Sequence, residues 1–373
     1  MIYFDHASTT PVCPEVQTTY QRVLEKYYAN SESLYPSGRE AEQLMEKSRR
    51  QTADFLGVGA NEIIFTASGS EANNLAIKGT ALKRQRYGRH IITSIGEHSS
   101  VVNSCRWLEE YLGFEVTWLP LNREGSVDVA DLKKAIRDDT ILVSLMYVNN
   151  ETGAFNPMAE IRDVVRRHHN CYLHTDCVQA LGKCPVDLNG VEMASFSAHK
   201  IYGLKGSGFL VKKAYADIAP LISGGQQEGR LRGGTANTPA NIVMGRTVRL
   251  AFERMNEGSE RVQQLRQQLW EGLKKLDHVV INSPASSSPF VTNFSCLKLT
   301  SQVMMNALAL KGFEVSAQST CDSADAYSRV IAGMYNEPDR LKGTIRVSIG
   351  YETTKEEIDQ LLAAIRESIE KYG

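Results

Sequence analysis

The sequence predicts an α/β fold, with a mostly parallel central sheet and a smaller α+β unit at its C-terminal end. Three observations carry that prediction. Between residues 60 and 215, short apolar segments alternate with helical ones, as in a parallel sheet covered by helices. One segment, residues 140–148, is a near-continuous apolar run, the mark of a strand buried on both faces. After residue 240 the alternation gives way to a long polar helix followed by β-like segments.

Residues 62–66 read as a strand that leads into a helix opening near Ser70. Residues 90–94 form the next strand with a helix over 101–112, then a strand over 115–121 with a helix over 128–136. The buried strand 140–148 is followed by 171–176, by a small-residue segment ending before Lys200, and by 209–212. A helix over 248–276 has the look of a connector between domains. Beyond it lie β-like segments at 279–282, 290–297 and 344–349, helices at 301–310 and 354–371, and a loop at 283–289. The first few residues are able to join this second unit. The reading gives a large domain over 15–250 and a small one formed by 1–14 and 251–373.

The 373 residues are enough for two such domains. Lys and Arg number 42 against 43 Asp and Glu, a balance that gives no sign of a nucleic-acid or acidic-lipid surface. No apolar run reaches bilayer length, and residues 1–6 lack the charged and apolar regions of a signal peptide. A soluble, cytoplasmic protein is expected. The seven cysteines, Cys13, Cys105, Cys171, Cys177, Cys184, Cys296 and Cys321, include no CxxC pair, so neither zinc nor a disulfide framework is expected. Cys105 and Cys296 fall in regular segments and read as core filler.

Ser197-Ala198-His199-Lys200, followed by Tyr202-Gly203-Leu204-Lys205-Gly206, places an amine where a strand stops and the chain turns. Such an amine can form an imine with an aldehyde, and its hydroxyl and imidazole neighbours can hold a phosphate. Upstream, Thr175-Asp176-Cys177-Val178-Gln179 ends a separate strand with a carboxylate. An imine-forming lysine plus a carboxylate able to face a pyridinium nitrogen is the minimum kit for pyridoxal 5'-phosphate. A lone lysine is ordinarily a surface residue; these neighbours reverse that reading.

Other motifs admit two readings each. Thr66-Ala67-Ser68-Gly69-Ser70-Glu71 is a strand, a small turn and a helix start, suited to an anion or simply capped by serine. His98, in Glu97-His98-Ser99-Ser100, can stack on a flat ring and shuttle protons, or can begin a helix. Asn150, in Asn149-Asn150-Glu151, can donate to a carboxylate or form a turn. The glycine-rich stretch 224–235, with Arg230, Arg232 and Thr235, suits anions or a flexible connection. Arg346 lies inside an apolar strand and needs a carboxylate partner from protein or substrate. Cys321 falls in a small, polar, unpatterned stretch, residues 315–326, which reads as a mobile loop. A thiol there is either incidental or used as a thiolate.

Together these motifs resemble the pyridoxal-phosphate cysteine desulfurases of the class V aminotransferase family, which supply sulfur for iron–sulfur clusters. The likeness begins at Tyr3-Phe4-Asp5-His6-Ala7-Ser8-Thr9-Thr10-Pro11 and ends at Arg346. It implies the fold type I pyridoxal-phosphate transferase architecture, with the cofactor in the large domain. By the resemblance Lys200 carries the cofactor as an imine, Asp176 faces its ring nitrogen and Gln179 its phenolic oxygen. Gly69, Ser70, Ser197 and His199 hold the phosphate, and Thr235 reaches the phosphate of a neighbouring subunit, implying a homodimer. His98 stacks on the ring, Asn150 and Arg346 take the substrate carboxylate, and Cys321 is the nucleophile.

The implied activity converts L-cysteine to L-alanine and leaves a persulfide on Cys321 for a sulfur-acceptor protein, an iron–sulfur scaffold or a tRNA-thiolation enzyme. The family loop reads Ser-Ser-Gly-Ser-Ala-Cys, whereas this chain has Ser316-Ala317-Gln318-Ser319-Thr320-Cys321. Rival readings on the same fold are a selenocysteine lyase and an ordinary class V aminotransferase. A rival of another class, a non-enzymatic partner protein, does not need the lysine, aspartate and histidine set.

Overall fold

The computed structural model describes residues 1–317 and 327–373. The chain opens on β1 (Ile2–Tyr3) and continues through α1 (Pro14–Lys26) and α2 (Pro36–Leu56). Strands and helices then alternate as β2 (Ile63–Thr66), α3 (Gly69–Arg84), β3 (His90–Ser94), α4 (Ser99–Leu112), β4 (Glu115–Leu119) and α5 (Val129–Ala135). They continue as β5 (Thr140–Ser144), α6 (Met158–Val165), β6 (Tyr172–Asp176), β7 (Met193–Ser197) and β8 (Gly208–Lys212). The long α7 (Thr238–Leu273) leads to β9 (Val279–Ile281), β10 (Val291–Cys296), α8 (Ser301–Leu310) and β11 (Phe313–Glu314). The chain closes with α9 (Arg329–Met334), α10 (Pro338–Lys342), β12 (Thr344–Ser348) and α11 (Lys355–Tyr372).

The main sheet has seven strands in the order β2-β8-β7-β6-β5-β3-β4. The five from β7 to β4 are parallel, while β8 is antiparallel to both its neighbours. Every residue of β2, β3, β5, β6 and β7 is buried. Neighbouring residues enter opposite cores, as the strand period of two requires. Phe65, Ile92 and Val143 join one apolar cluster with Met244 and Val248 of α7, while Ile64, Ile91 and Leu142 join another with Leu75 and Leu108 of α3 and α4. The chain runs from β3 outward to β4 and returns across β3 to β5, a switch point of the kind that opens a crevice at the strands' carboxyl ends.

The smaller layer is an antiparallel sheet in the order β12-β10-β9, and β1 pairs in parallel with β11. Phe4 packs there with Phe294, Ile345 and Leu361. One helix serves both regions: Met244, Val248 and Ala251 of α7 sit in the large-sheet core, and Val262, Leu265, Leu269 and Leu273 in the other. No helix among the described residues is long and apolar enough to cross a membrane.

Some expected elements differ. The strand expected over 140–148 leaves the sheet after Ser144, although Leu145 and Tyr147 still donate to the β6 carbonyls of His174 and Asp176 at 3.1 and 2.9 Å. Apolar content alone does not distinguish those four residues from strand. The helix expected from residue 248 begins at Thr238, where Asn237 caps Ala240 N–H and a proline occupies the first turn. Patterning also assigned no helix to α1, α2, α6, α9 or α10. The buried positions of α2 include Ala41, Met45, Ser48, Thr52 and Leu56, a helical stripe in which two of the five are hydroxyl residues.

Candidate active site

The carboxyl ends of β2, β3, β5, β6 and β7 meet at one edge of the large sheet, and a pocket opens there. Its lining includes Gly69, Ser70, His98, Asn150, Asp176, Gln179, Ser197, His199, Lys200 and Arg346, together with Ala7 and Ser8 from the N-terminal segment. Ten residues expected to act together are thus within one cavity. Thr235 is exposed and does not line it. Cys321 lies outside the described residues.

Lys200 ends a short 3-10 turn directly after β7, and its Nζ donates to the carbonyls of Ala7 and Ser8. Asp176 closes β6 at 6 % exposure. Its Oδ1 accepts from Val178 N at 2.9 Å and its Oδ2 from Asn73 Nδ2 at 2.7 Å. Gln179 Nε2 donates to the Ala7 carbonyl at 2.9 Å, while its Oε1 accepts from Lys183 Nζ at 2.7 Å. Burial, then the nearby charge of Lys200, pulls the Lys183 amine down to about 7.

At the β2 end, Ser68 caps α3 by accepting from Glu71 N–H. The first N–H groups of a helix have no partner within it and favour an anion. The chain is closely packed here: a Cβ on Gly69 would lie 2.8 Å from Val178 Cγ2, and one on Gly208 3.1 Å from Gly69 N. Ser197 Oγ is buried with no hydrogen-bond partner among the described residues. His199 Nδ1 pairs with Thr9 Oγ1 at 3.1 Å. Burial, reinforced by Lys200, Lys205, Lys183 and His98, holds its imidazole down at about 4, so it is neutral at pH 7. An anion hole with neutral donors and an orphaned hydroxyl fits a phosphate group.

The Glu97-His98 turn is fixed from below. Glu97 is buried, and its Oε1 accepts from Ser94 Oγ at 2.9 Å and Met146 N at 3.0 Å. Burial pushes its carboxyl up to about 8. The two asparagines after β5 divide the roles considered for them. Asn149 Oδ1 accepts from Glu151 N and Thr152 N, both at 2.9 Å, and so shapes the turn. Asn150 lines the pocket.

Arg346 is 1 % exposed, and its carboxylate partner is Asp5, at 2.8 Å from Nη2. Nη2 also donates to Ser8 Oγ at 2.7 Å, and Nη1 to the Asn150 carbonyl at 3.0 Å. Of the two arginines in the glycine-rich stretch, Arg232 is paired with Glu71 at 2.9 Å. Sequence patterning missed Ala7, Ser8, Asn73 and Lys183 as parts of this site. The first two are a carbonyl platform without side-chain signal, and a motif containing Asn73 does not show where its amide points.

The aminotransferase class-V family model matches residues 2–361. The chain is 40 % identical to the "Cysteine desulfurase IscS" of Dictyoglomus turgidum over 99 % of its own length and 95 % of that protein. It is 36 % identical to the protein of the same name from Methanosarcina thermophila, over 99 % and 92 %. Among solved structures, a "NIFS-like protein" superposes with a TM-score of 0.93 at 33 % identity, covering 99 % of both chains. A structure described as "SspA in complex with cysteine" gives 0.84 at 31 % identity, over 95 % of this chain and 100 % of the other. The strand-end pocket and these full-length matches agree, and the chain belongs to the aminotransferase class-V family, among its cysteine desulfurases.

Proposed function

We propose that the chain is a pyridoxal-phosphate-dependent cysteine desulfurase that takes sulfur from L-cysteine and passes it, through Cys321, to an acceptor protein. The observation that carries this reading is the convergence of Lys200, Asp176, His98 and Arg346 on one pocket with an anion hole at its end. The alternatives on this fold, a selenocysteine lyase or an ordinary aminotransferase, share the pocket but are not the activity named for the relatives.

When bound, pyridoxal phosphate supplies an electron sink that makes a substrate's α-proton acidic. Lys200 would hold it covalently, and Gly69, Ser70, Ser197 and His199 would hold its phosphate. Asp176 would retain a proton at the ring nitrogen, and His98 would lie against the ring. Arg346 and Asn150 orient the substrate carboxylate, which places the α-proton toward the Lys200 amine. That amine, free once the substrate's own amine has taken its place, would be the base that receives it. Across the reaction the substrate's Cβ–S bond breaks, an S–S bond forms at Cys321, and Cβ gains hydrogen. L-cysteine and the Cys321 thiol thus become L-alanine and a Cys321 persulfide, with no external oxidant or reductant. Thr235 would reach the phosphate site of a second copy in a homodimer, and the division into 15–250 against 1–14 with 251–373 would separate cofactor binding from sulfur delivery. The acceptor would be an iron–sulfur scaffold or a tRNA-thiolation enzyme.

Mass spectrometry after incubation with L-cysteine tests the proposal. One added sulfur is expected on the Cys321 peptide, and Cys321→Ser is expected to bind cofactor normally while releasing no sulfide, because a hydroxyl is a far poorer nucleophile toward sulfur. Added sulfur at Cys177 or Cys105 instead, or wild-type sulfide release by the serine variant, would overturn it.

A further inference from the structure

Asp176 and His98 lie at the ends of different strands, yet one side-chain amide serves both. Asn73 is in the second turn of α3 and is 1 % exposed. Its Nδ2 donates to Asp176 Oδ2 at 2.7 Å and to Ser100 Oγ at 2.9 Å. Ser100 Oγ lies 2.8 Å from His98 Nδ1, and the Ser100 backbone N–H donates to that same nitrogen at 3.2 Å. A backbone N–H can only donate, so Nδ1 is the accepting nitrogen of the ring. The serine hydroxyl accepts a hydrogen bond from Asn73 Nδ2 and donates its own to Nδ1. The neutral imidazole therefore carries its proton on Nε2.

We propose that Asn73 is a positioning residue whose single NH2 group holds the Asp176 carboxylate and, through the Ser100 hydroxyl, fixes the orientation of the His98 ring. The inference rests on the reading of Asp176 and His98 as cofactor contacts. Few side chains fit the position chemically. A carboxylate only accepts, and Ser100 Oγ must accept if it is to donate onward, so two hydrogens have to leave one atom in two directions. A hydroxyl has one and an ionised carboxylate none. Val178 N–H occupies Asp176 Oδ1, which leaves Oδ2 to Asn73. The other half of the amide points the same way: Asn73 Oδ1 is buried without a hydrogen-bond partner among the described residues. An apolar residue would avoid that penalty, so it is the donor half that the site uses.

The test is histidine-selective 15N NMR on the cofactor-loaded full chain, with cofactor affinity measured alongside. Wild type is expected to show His98 as a single Nε2–H tautomer. Ser100→Ala keeps the backbone N–H at Nδ1, and with it the Nε2–H tautomer, but is expected to broaden the His98 ring signals because the hydroxyl that fixes the ring is lost. Its cofactor affinity is expected to stay closer to wild type than that of the Asn73 variants, because the bond from Asn73 to Asp176 remains. Ser100→Thr, which restores a hydroxyl, is expected to recover the wild-type signature; a bystander serine would show no such pattern. Asn73→Ala is expected to broaden the same ring signals and to weaken cofactor binding about tenfold, as loss of one charge-assisted hydrogen bond requires. If Asn73→Ala disturbs folding, Asn73→Leu, which is close to the amide in shape and lacks both donors, decides the same question. Wild-type ring signals or wild-type affinity in the Asn73 variant overturns the proposal. Absence of a visible cofactor band in wild type would instead overturn the reading of the pocket, and the ring-signal comparison, made on the full chain without cofactor, would still decide the role of Asn73.

Discussion

The pocket has two walls of different origin. One is the carboxyl edge of the large sheet, where Gly69, His98 and Lys200 follow β2, β3 and β7 and Asp176 ends β6. The other is the segment from Asp5 to Ser8 with Arg346 of β12, joined across 341 residues of sequence by the Asp5–Arg346 pair. The first wall supplies the groups suited to bond a cofactor, each placed by its own strand end. The second supplies backbone carbonyls and a buried cation, and it exists only once both chain ends have folded together. Local chemistry thus sits on local structure, while the geometry that confines it is long-range.

Loss of Lys200 should break the first wall completely. Among the described residues Lys200 is the lysine that lines the pocket, so Lys200→Ala is expected to lose the visible cofactor band and all turnover. A persisting band that borohydride fixes in the variant would show that another amine holds the cofactor. Next in size is Asp176→Asn. A neutral amide cannot stabilise a protonated ring nitrogen, and a fall in kcat of about 10²–10⁴-fold is expected with cofactor still bound. Wild-type single-turnover rates would remove Asp176 from the mechanism.

The contrast between the walls also marks what the sequence could reveal. Short apolar segments located the ends of β2, β3 and β6, because burial on two faces favours apolar runs, whereas the end of β7 was marked only by the small-residue segment before Lys200. The same signal misjudged residues 145–148, which are apolar and still bond to β6 after the strand has ended. It did not reveal α2, whose inward stripe includes Ser48, an acceptor for Gly245 N–H and a donor to the Asn241 carbonyl. The second wall has no periodic signature. Ala7 and Ser8 act through carbonyl oxygens, which every residue has, and Arg346 was visible only as a charge in need of a partner. Resemblance over the whole chain, rather than patterning, brought that wall into the reading.

Asp5→Asn tests the second wall. Arg346 would remain buried with only the Ser8 hydroxyl and Asn150 carbonyl as partners. Removing one member of a buried pair costs about 3 kcal/mol, so the denaturant midpoint should fall and KM for L-cysteine should rise while the cofactor band is retained. Unchanged stability would mean that β1–β11 pairing, Phe4 packing and the hydrogen bonds of residues 4–7 with Ser348 hold the two regions together without the ion pair.

The smallest effect is expected at His199, which ties the first wall to the residues that directly follow the second. Its carbonyl accepts from Thr10 N–H at 2.9 Å and its ring pairs with Thr9 Oγ1. Burial and four neighbouring cationic or titratable groups, Lys200, Lys205, Lys183 and His98, place its folded pKa near 4, against 6.5 for the free side chain. Between those two values the unfolded chain binds a proton that the folded chain does not, so stability rises with pH across that window and is level above it. In the cofactor-free chain, His199→Asn should therefore match wild type at pH 7.5 apart from the lost ring contact. It should lose less stability than wild type as pH falls from about 6.5 toward 4. The check is a pair of denaturant titrations across that range, with the His199 ring followed by NMR. A ring that titrates at or above 6.5 would mean that the junction of the walls is open to water, and the acid sensitivity would have to arise elsewhere.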